Sequence, residues 1–519
     1  MENTALAATM TTTISKSRTI ESITPFRRSS EVRDATEAVL TGAPPDWLRG
    51  DLVRTCPAVF QAAAWRARHW FDGLGMIYAF RIGAGSIAFQ SRLLESEAAN
   101  QIASGPTRLS SFGTPTGRTA WQRIEGTERP LATSEADVER LLDERLPLYE
   151  ELADAVVPMA DEGVVARALP AIQALSEMPE GTRLLWASSA SGDYPVFVGR
   201  DLLGTEWWPL EGRRFCVTDL NAGIYAEQLT ELNAVIQIPA GERSKTLDQV
   251  RDTIRVLAEE EMTREDHVVA LGGGVVGDLA GFCAHVYQRG VPVVQVPTTL
   301  VAQVDSAHGG KTGVDVEMLK NYAGAYHLPA AVFADTQTLT SLPNQELAAG
   351  FVEVVKTGLL AGGQLWERVR LMESLDPNCL DDVIFACARY KCAVVAADER
   401  DGGLRHVLNL GHTVGHAIES VSDFSYLHGE AIGLGLLAAL RLSEATELRD
   451  EVEAILTRVD LPFRLDPRFD IDEILEILQH DKKRTAAGVG FVLLSEPGKP
   501  RTGQIVDEAK VREAVDELY

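Results

Sequence analysis

From about residue 184 onward, short apolar runs bounded by glycine or polar residues alternate with stretches of helical periodicity. Runs of this length predict buried strands, and their alternation with helices predicts an α/β domain with a parallel sheet. The predicted strands cover residues 184–189, 194–199, 214–218, 234–238, 267–271 and 291–296. Binding groups of such sheets lie where strands end. The residues at these positions are Asp219, Asn221, Glu242 and Lys245.

A glycine turn after the strand at 267–271 is the most informative local feature of this domain. Residues 272–274 are all glycine, and a predicted helix at 275–286 carries Asp278 in its first turn. This order brings backbone N–H groups and a helix N-terminus up to a phosphate, which any Cβ would hold away. A tight turn without a ligand is the alternative on this window alone.

After Leu339 the strands largely stop and helical periodicity takes over. Helices are predicted at residues 347–360, 381–397, 412–421, 430–448 and 471–480. The pattern therefore predicts an α/β domain at 184–340 followed by an all-α domain at 341–519.

Two clusters in the helical region carry groups suited to chemistry. Glu353 and Lys356 are three apart, so they share a helix face. His412 and His416 lie one helical turn apart, and His428 follows. Histidines with a glutamate suit a catalytic zinc site, which has three protein ligands and one open position. Spacing alone nominates His412 and His416 as the helical pair. For Glu353 and Lys356 the alternative is a surface ion pair. For the histidines it is a set of core side chains satisfied by hydrogen bonds.

Composition narrows the possible partners. A formal charge of −26 leaves no basic surplus for a nucleic acid, and no apolar run is long enough to span a bilayer. Six cysteines without C-x-x-C pairing predict reduced thiols in a cytoplasmic protein. Basic residues beside glycines and polar turns nevertheless predict a pocket for a small, multiply anionic substrate. They are Arg289, Lys311, Lys320, Lys356, Lys391, Arg405, Lys482 and Lys483.

The first third of the chain divides into three segments of different texture. Residues 1–37 are rich in Ser and Thr and predict a disordered tail, with a transit peptide as the alternative. Residues 38–128 alternate apolar and polar positions between glycine turns and predict a β-rich segment. Residues 129–183 carry an apolar stripe and predict helices.

Two of these segments resemble parts of known families. The run P-x-W-L-x-G-x-L-x-R at 45–54, the His69–Gly73 block and the tetrapeptide at 112–115 resemble the N-terminal part of carotenoid cleavage oxygenases. That family holds iron with four histidines, and His69 is the only histidine before His267, so no iron site is expected here. Arg145–Tyr149 resembles the C-terminal end of shikimate kinases, whose phosphate loop is absent upstream.

From about residue 190 to 519 the chain resembles 3-dehydroquinate synthases, within the sugar phosphate cyclases. The matching blocks include G-E-x-x-K at 241–245, LGGGVVGDLAGF at 271–282, PTTL at 297–300, VDSAHGGKTGVD at 304–315, G-x-x-E-x-x-K at 350–356, R-x-x-LNLGHT-x-GHAIE at 405–419, LHGEA at 427–431 and DKK at 481–483. The resemblance implies a Rossmann-like NAD-binding α/β domain followed by a helical metal-binding domain.

The same resemblance implies roles residue by residue. It places the divalent metal, Zn²⁺ or Co²⁺, on Glu353, His412 and His428, which makes His416 a pocket residue rather than a ligand. NAD contacts are implied for Asp219, Asn221, Glu242, Lys245, Gly273, Gly274, Val275, Val276, Gly277, Asp278, Thr298, Thr299, Lys311, Lys320, Thr338, Leu339, Thr340 and Ser341. Substrate and catalytic contacts are implied for Asp305, Lys311, Lys320, Asn321, Lys356, Lys391, Arg405, Asn409, His416 and Lys482, with Arg289 reaching a neighbouring subunit of a homodimer.

The implied reaction converts 3-deoxy-D-arabino-heptulosonate 7-phosphate to 3-dehydroquinate and phosphate. It runs through transient oxidation by NAD, phosphate elimination, reduction and aldol closure. Lys391 and Arg405 would hold the substrate carboxylate. Ala307-His308 and Asp315 depart from the family's usual residues, which leaves the exact substrate open. An aminodehydroquinate synthase or another specialised cyclase is the alternative, and a scaffolding fusion with a vestigial site is a third possibility.

Overall fold

A computed structural model describes residues 32–38, 50–59, 61–62, 65–66, 74–83, 86–93, 153–158, 163–317, 319–423, 425–479, 484–485 and 488–519. The chain forms two compact units, Met1–Leu152 and Ala153–Tyr519. Among the described residues, no helix is both long and apolar enough to cross a bilayer.

The described part of the first unit is made of antiparallel strands. Its strands are β1 (Val32–Ala38), β2 (Gly50–Val59), β3 (Gln61–Ala62), β4 (Trp65–Arg66), β5 (Leu74–Gly83) and β6 (Ser86–Leu93). Four of them form a sheet in the order β1-β6-β5-β2, as expected from the alternating pattern. β1 begins inside the predicted tail at 1–37, so that prediction was wrong at its C-terminal end. The rest of the tail, His69, Arg145 and the predicted helices before 153 lie outside the described residues.

The second unit is built on an eight-stranded sheet with the order β11-β10-β12-β13-β16-β9-β8-β7. Its strands are β7 (Ala155–Val156), β8 (Arg183–Ser189), β9 (Gly192–Gly199), β10 (Arg214–Asp219), β11 (Leu232–Ile238), β12 (His267–Gly272), β13 (Val293–Pro297) and β16 (Ala331–Asp335). Neighbours are parallel except β8 and β9, which form an antiparallel hairpin because a short turn joins them. The strand order reverses between β10 and β12, which is where such sheets bind ligands.

The helices have the following bounds: α1 (Val164–Ala174), α2 (Leu247–Glu259), α3 (Gly274–Val286), α4 (Asn344–Ala361), α5 (Gly363–Leu371), α6 (Asp381–Ala397), α7 (His412–Val421), α8 (His428–Leu442), α9 (Thr446–Arg458), α10 (Ile471–Gln479) and α11 (Glu508–Asp516). The single helix predicted at 430–448 is therefore two helices. Glu444 adopts a left-handed φ of 57°, and Ser443 Oγ donates to the Ala439 carbonyl, so the α8 ladder ends there.

Two antiparallel elements escaped the sequence pattern. β14 (Lys311–Val316) pairs with β15 (Leu319–Tyr326) in a hairpin whose glycines and polar residues hide the alternation. Near the C-terminus, β17 (Arg484–Thr485), β18 (Gly488–Leu494) and β19 (Pro500–Ile505) form a small sheet. The region after Leu339 is thus mostly helical, as predicted, but not all-α.

Helix α1 belongs to the sheet's hydrophobic core although it precedes residue 184. Val164, Ala168, Ala171 and Ala174 are at most 2 % exposed and pack in one cluster with residues of β8 and β9. Arg167 Nε also donates to Asp193 of β9 at 2.6 Å. The α/β core therefore needs the segment from about 153 onward.

Removing residues 1–180 is expected to lower the melting temperature of the second unit sharply relative to removing residues 1–152. The longer deletion strips α1 and β7 and exposes apolar surface, at a cost of at least about 3 kcal/mol. Thermal unfolding of the two truncated chains checks this. Equal melting temperatures would contradict the assignment of α1 to the core.

Candidate active site

Three helices bring one carboxylate and two imidazoles together. Glu353 lies in the middle of α4, while His412 and His428 are the first residues of α7 and α8. Glu353 Oε1 lies 3.5 Å from His412 Nε2 and 3.6 Å from His428 Nε2. One potential ligand atom from each residue lies within 4.8 Å of the other two. A carboxylate with two imidazoles is a ligand set typical of catalytic zinc sites.

The buried surroundings of the Glu353 carboxylate indicate that it binds a cation. Its side chain is 1 % exposed, and no described group donates a well-directed hydrogen bond to either buried oxygen. Lys356 Nζ lies 2.5 Å from Oε2 and offsets its charge as an ion pair. Buried polar atoms are rarely left without a partner, so an ion between this carboxylate and the two imidazoles would complete the cluster.

Neighbouring polar groups fix the ring orientations of His412 and His428. His412 Nδ1 donates to the Leu410 carbonyl at 3.1 Å, which leaves the lone pair of Nε2 facing Glu353. His428 Nδ1 lies 3.5 Å from Glu419 Oε1, and Glu419 also accepts from Lys320 at 2.8 Å. Partners of this kind set the tautomer and ring orientation of metal-binding histidines.

The electrostatics of the two histidines differ. Burial, together with the charge of Lys356, holds the pKa of His412 well below its usual range, so its ring is neutral. Burial also opposes a charge on His428, but the neighbouring carboxylates of Glu353 and Glu419 raise its pKa to about 9. A bound cation would compete with that proton for the same ring.

His416 lies beside these rings. Its centroid is 5.1 Å from that of His412 and 5.9 Å from that of His428. His416, Glu419 and His428 also have ligand atoms within 4.8 Å of one another. Glu419, however, already holds the Lys320 ammonium, which disfavours a second cation there. The enclosed Glu353 makes the first group the better metal site.

Close backbone contacts between helices place the three candidate ligands. A Cβ on Gly435 of α8 would lie 2.0 Å from the Gly411 carbonyl, just before His412. A Cβ on Gly429 would lie 1.8 Å from the Ala349 carbonyl of α4. Glycine at these two points lets α7, α8 and α4 approach within reach of one cation.

Replacing Gly435 with alanine is expected to separate α7 from α8 and to weaken divalent-metal binding together with stability. Overpacking typically costs about 1–3 kcal/mol, and a rigid backbone neighbour places this site at the upper end. Isothermal titration with Zn²⁺ and thermal unfolding measure both effects. Gly433→Ala is the matched control, because the atoms nearest its Cβ would be side-chain atoms of Leu456 and Val352, at 3.2 Å or more, rather than a backbone carbonyl. Equal behaviour of the two variants would refute this account.

A carboxylate and two lysines form a second cluster next to the metal site. Lys356 Nζ lies 3.4 Å from Asp305 Oδ2, and the ammonium of Lys391 donates to Asp305 Oδ1. Burial opposes the charge on Asp305, but Lys391 and Lys356 hold its pKa well below the usual range. Burial and the proximity of Lys356 lower the pKa of Lys391. Lys356 also balances Glu353, so the two lysines and the two carboxylates cancel, and the adjacent Arg405 guanidinium supplies the positive charge that favours binding of a further anion.

Arg405 is buried at the side of this cluster and is 2 % exposed. Its Nη1 donates to the Glu399 carbonyl at 2.8 Å, and both terminal nitrogens contact the Gly309 carbonyl. Asn409 ends the same 3₁₀ turn, Leu404–Asn409. The arrangement presents a fixed guanidinium close enough to Lys391 to affect its pKa.

The β14–β15 hairpin carries the other predicted anion-binding groups. Lys311 Nζ pairs with Asp401 at 2.5 Å, and Asn321 adopts a left-handed φ of 49° while its N–H donates to Asp315. Asp315, which differs from the family's usual residue, thus helps to form the turn of this hairpin. His308 is 1 % exposed, and its Nε2 bonds the Gln303 carbonyl at 2.8 Å.

The glycine turn lies at the N-terminus of α3, beside the point where the strand order reverses. Gly273 is the residue before α3, and a Cβ there would lie 3.0 Å from Thr299, so the turn packs closely against Thr299 and favours glycine. The first N–H groups of α3 have no helical partner and suit a phosphate. Lys245 Nζ donates to Asp278 at 2.6 Å and lies 3.9 Å from Glu242.

The other predicted nucleotide contacts surround the same sheet edge. Asp219 caps its own turn by accepting from the N–H groups of Asn221 and Ala222, both at 2.8 Å. Thr298 and Thr299 follow β13, and the 3₁₀ turn Thr336–Ser341 follows β16. Tyr225 Oη donates to the Thr338 carbonyl and bonds Ser341 Oγ. Together with the glycine turn after β12 and with Glu242 and Lys245 after β11, groups from five neighbouring strands thus line one edge.

Most predicted site residues fall into these clusters, with two exceptions. Lys482 lies outside the described residues. Arg289 is exposed on a turn where it has a φ of 70°, and no contact places it in the clusters above. The sequence reasoning assigned no role to Glu419 or Asp401, which pair with predicted site lysines. Glu419 follows His416 by three positions and therefore shares its helix face. This spacing is the sequence signal that could have identified Glu419 as a site residue.

The chain combines an α/β sheet of the kind that binds nucleotides with a helical region that holds a candidate metal cluster. This combination defines a class of enzymes that depend on a dinucleotide and a metal. Family models of the 3-dehydroquinate synthase N-terminal and C-terminal domains match residues 235–349 and 350–484. The 3-dehydroquinate synthase of Symbiobacterium thermophilum is 42% identical over 330 residues, which span 59% of this chain and 92% of that protein. The chain belongs to the 3-dehydroquinate synthase family.

Solved structures agree on the fold. The structure of a 2-deoxy-scyllo-inosose synthase complexed with carbaglucose-6-phosphate, NAD⁺ and Co²⁺ matches with a TM-score of 0.58 and 25% identity, over 65% of this chain and 100% of that one. A 2-epi-5-epi-valiolone synthase from Streptomyces hygroscopicus, with NAD⁺ and Zn²⁺ bound, matches with a TM-score of 0.58 and 24% identity over 63% and 96%. A model of the retinal pigment epithelial membrane protein family matches residues 26–141, where the sequence resembles carotenoid oxygenases.

Proposed function

We propose that this chain is a 3-dehydroquinate synthase that uses NAD and a divalent cation, Zn²⁺ or Co²⁺. Its substrate is 3-deoxy-D-arabino-heptulosonate 7-phosphate, and its products are 3-dehydroquinate and phosphate. The observation that carries the proposal is the buried Glu353 carboxylate facing two imidazole nitrogens beside the lysines of the Asp305 cluster. Family membership supports it independently.

Glu353, His412 and His428 would hold the cation, and the turn at Gly273 and Gly274 would receive the pyrophosphate of NAD. When bound, the cation polarises a substrate hydroxyl and NAD accepts a hydride reversibly. The first turn of α3 supplies N–H groups to the pyrophosphate, and Lys245 keeps Asp278 in place at the same edge.

Lys356 and Lys391 supply the positive charge that phosphate departure requires. Both are buried against Asp305, so they are held in place before the substrate arrives. Preorganised cations around a developing charge lower the barrier without reorganisation. Lys311, Lys320 and Asn321 on the hairpin would complete the phosphate and nucleotide contacts. His416, exposed at the mouth of the metal cluster, is the group best placed to exchange a proton with substrate.

Arg405, Asn409 and Lys391 would bind the substrate carboxylate. A fixed guanidinium can bind a carboxylate with two parallel hydrogen bonds, which a sugar phosphate without a carboxylate cannot use in this way. This is the reason to propose a carboxylate-bearing substrate. The exposed turn carrying Arg289 supports a homodimer in which this arginine reaches the partner's site. The free cysteines of the described region support a cytoplasmic location.

Phosphate release by the metal-loaded protein with NAD tests the substrate. We expect release from 3-deoxy-D-arabino-heptulosonate 7-phosphate, and a rate on sedoheptulose 7-phosphate, which lacks the carboxylate, at least about 100-fold lower. A strong preference for the amino analogue of the first substrate would favour an aminodehydroquinate synthase. Efficient turnover of sedoheptulose 7-phosphate would contradict the carboxylate assignment.

A further inference from the structure

We propose that the β8–β9 hairpin positions Arg405 for substrate-carboxylate recognition, with Ser191 and Tyr194 acting through the two carbonyl groups that hold the guanidinium. This inference rests on the proposed function, because it assumes that Arg405 binds a carboxylate. It assigns a role to the antiparallel part of the sheet, which supplies none of the candidate metal ligands or nucleotide contacts described above.

The first carbonyl is that of Glu399. Arg405 Nη1 donates to it at 2.8 Å. The Glu399 side chain is buried and turns to the hairpin, where Ser191 N donates to Oε2 at 2.7 Å and Ser191 Oγ donates to Oε1. Both carboxylate oxygens are therefore held by one turn residue more than 200 positions earlier in the chain. The turn fixes the backbone of Glu399, and with it one contact of Arg405.

The second carbonyl is that of Gly309. Both Arg405 terminal nitrogens contact it, at 3.4 and 3.3 Å. The N–H of Gly309 donates to Tyr194 Oη at 3.0 Å, and Tyr194 is 2 % exposed within β9. Gly309 has a left-handed φ of 82°, so its peptide orientation depends on such contacts. Burial raises the pKa of Tyr194, so its hydroxyl stays neutral.

The loop between α6 and Arg405 is also held by hydrogen bonds within itself. Asp398 accepts from the N–H groups of Gly402, Gly403 and Arg405, which shapes the loop. These contacts do not fix where the loop sits against the sheet. The contact of Ser191 with Glu399 does, while Tyr194 holds the other carbonyl by its contact with Gly309. Two-point binding of a carboxylate needs the guanidinium plane to be fixed, and the hairpin supplies that constraint.

Steady-state kinetics of Ser191→Ala, Glu399→Gln and Tyr194→Phe test the inference in the full-length, metal-loaded protein with NAD. Ser191 is exposed and its replacement disturbs no core. We expect KM for 3-deoxy-D-arabino-heptulosonate 7-phosphate to rise about tenfold, the equivalent of one lost hydrogen bond, with kcat within about twofold. Inhibition by inorganic phosphate, which lacks a carboxylate, should be unchanged. Asp193→Asn is the control, since Asp193 lies in the same hairpin but contacts Arg167.

A double-mutant cycle separates positioning from a general structural role. If Ser191 acts through Arg405, Ser191→Ala should add less than about twofold to the KM of Arg405→Lys. Full additivity, or a loss of kcat and phosphate inhibition in parallel with a lower melting temperature, would overturn the inference. If Arg405→Lys raises KM but Ser191→Ala does not, only this inference fails. If Arg405→Lys leaves KM unchanged, the proposed carboxylate site fails with it.

Discussion

Replacing His428 with alanine is expected to abolish binding of the divalent cation, while replacing His416 with alanine should leave the cation bound. His428 Nε2 faces the enclosed Glu353 carboxylate, whereas His416 is exposed and its nearest acidic neighbour already holds Lys320. We expect His428→Ala to weaken Zn²⁺ binding by more than about 100-fold, beyond the range for a group that only supports a ligand. His416→Ala should slow turnover by about 100-fold, the size typical of a lost acid–base group.

Metal analysis after dialysis, together with competition against a chelator, measures these affinities directly. Thermal unfolding without metal serves as the control for misfolding, because neither histidine is a fully buried core residue. Loss of the cation from His416→Ala but not from His428→Ala would contradict the assignment. The site would then be formed by His412 and His416, the pair that spacing alone nominates.

Replacing Lys356 with methionine is expected to lower kcat/KM by at least about 1,000-fold, more than a single exposed substrate contact would cost. Lys356 touches both Glu353 and Asp305 and is 1 % exposed. Methionine keeps the volume but removes the charge that stabilises the departing phosphate. Asp305 keeps Lys391 as a partner, so the anion itself is not left alone.

Lys499→Met is the matched control, because Lys499 forms an ion pair at the same i,i+3 spacing but is 69% exposed. It should leave kcat/KM within about twofold, since exposed pairs contribute at most about 1 kcal/mol. Calorimetry should show that Lys356→Met still binds NAD. This result would distinguish a loss of catalysis from a loss of the folded structure. A Lys356→Met enzyme with near-normal turnover would remove this residue from the mechanism.

The sequence predicted the fold most accurately where one physical signal dominates. The apolar run at 267–271 and the glycines after it became β12 and the start of α3 with a shift of a single residue. The helix predicted at 381–397 has the bounds of α6. The single helix predicted at 430–448 was wrong because a left-handed Glu444 carries no signal in the apolar pattern.

Sequence spacing could not determine which groups face one another across elements. Glu353 and His428 are far apart in sequence, and they meet because Gly429 lets α8 lie against α4. The Ser191–Glu399 contact joins a hairpin turn to a loop in the helical region and had no local signal. The antiparallel pairing of β8 with β9 was also missed, since buried strands have the same composition in either direction.

The most direct test of the central claim is a turnover assay with the metal-loaded protein and NAD at a small fraction of the substrate concentration. If NAD is oxidant and reductant within one catalytic cycle, 3-dehydroquinate and phosphate should form in equal amounts, many times exceeding the NAD present, without net NADH. Removing the cation with a chelator should stop both products. Product formation limited to the amount of NAD, with NADH accumulating, would contradict the account, as would absence of phosphate release when NAD and metal are both shown to bind.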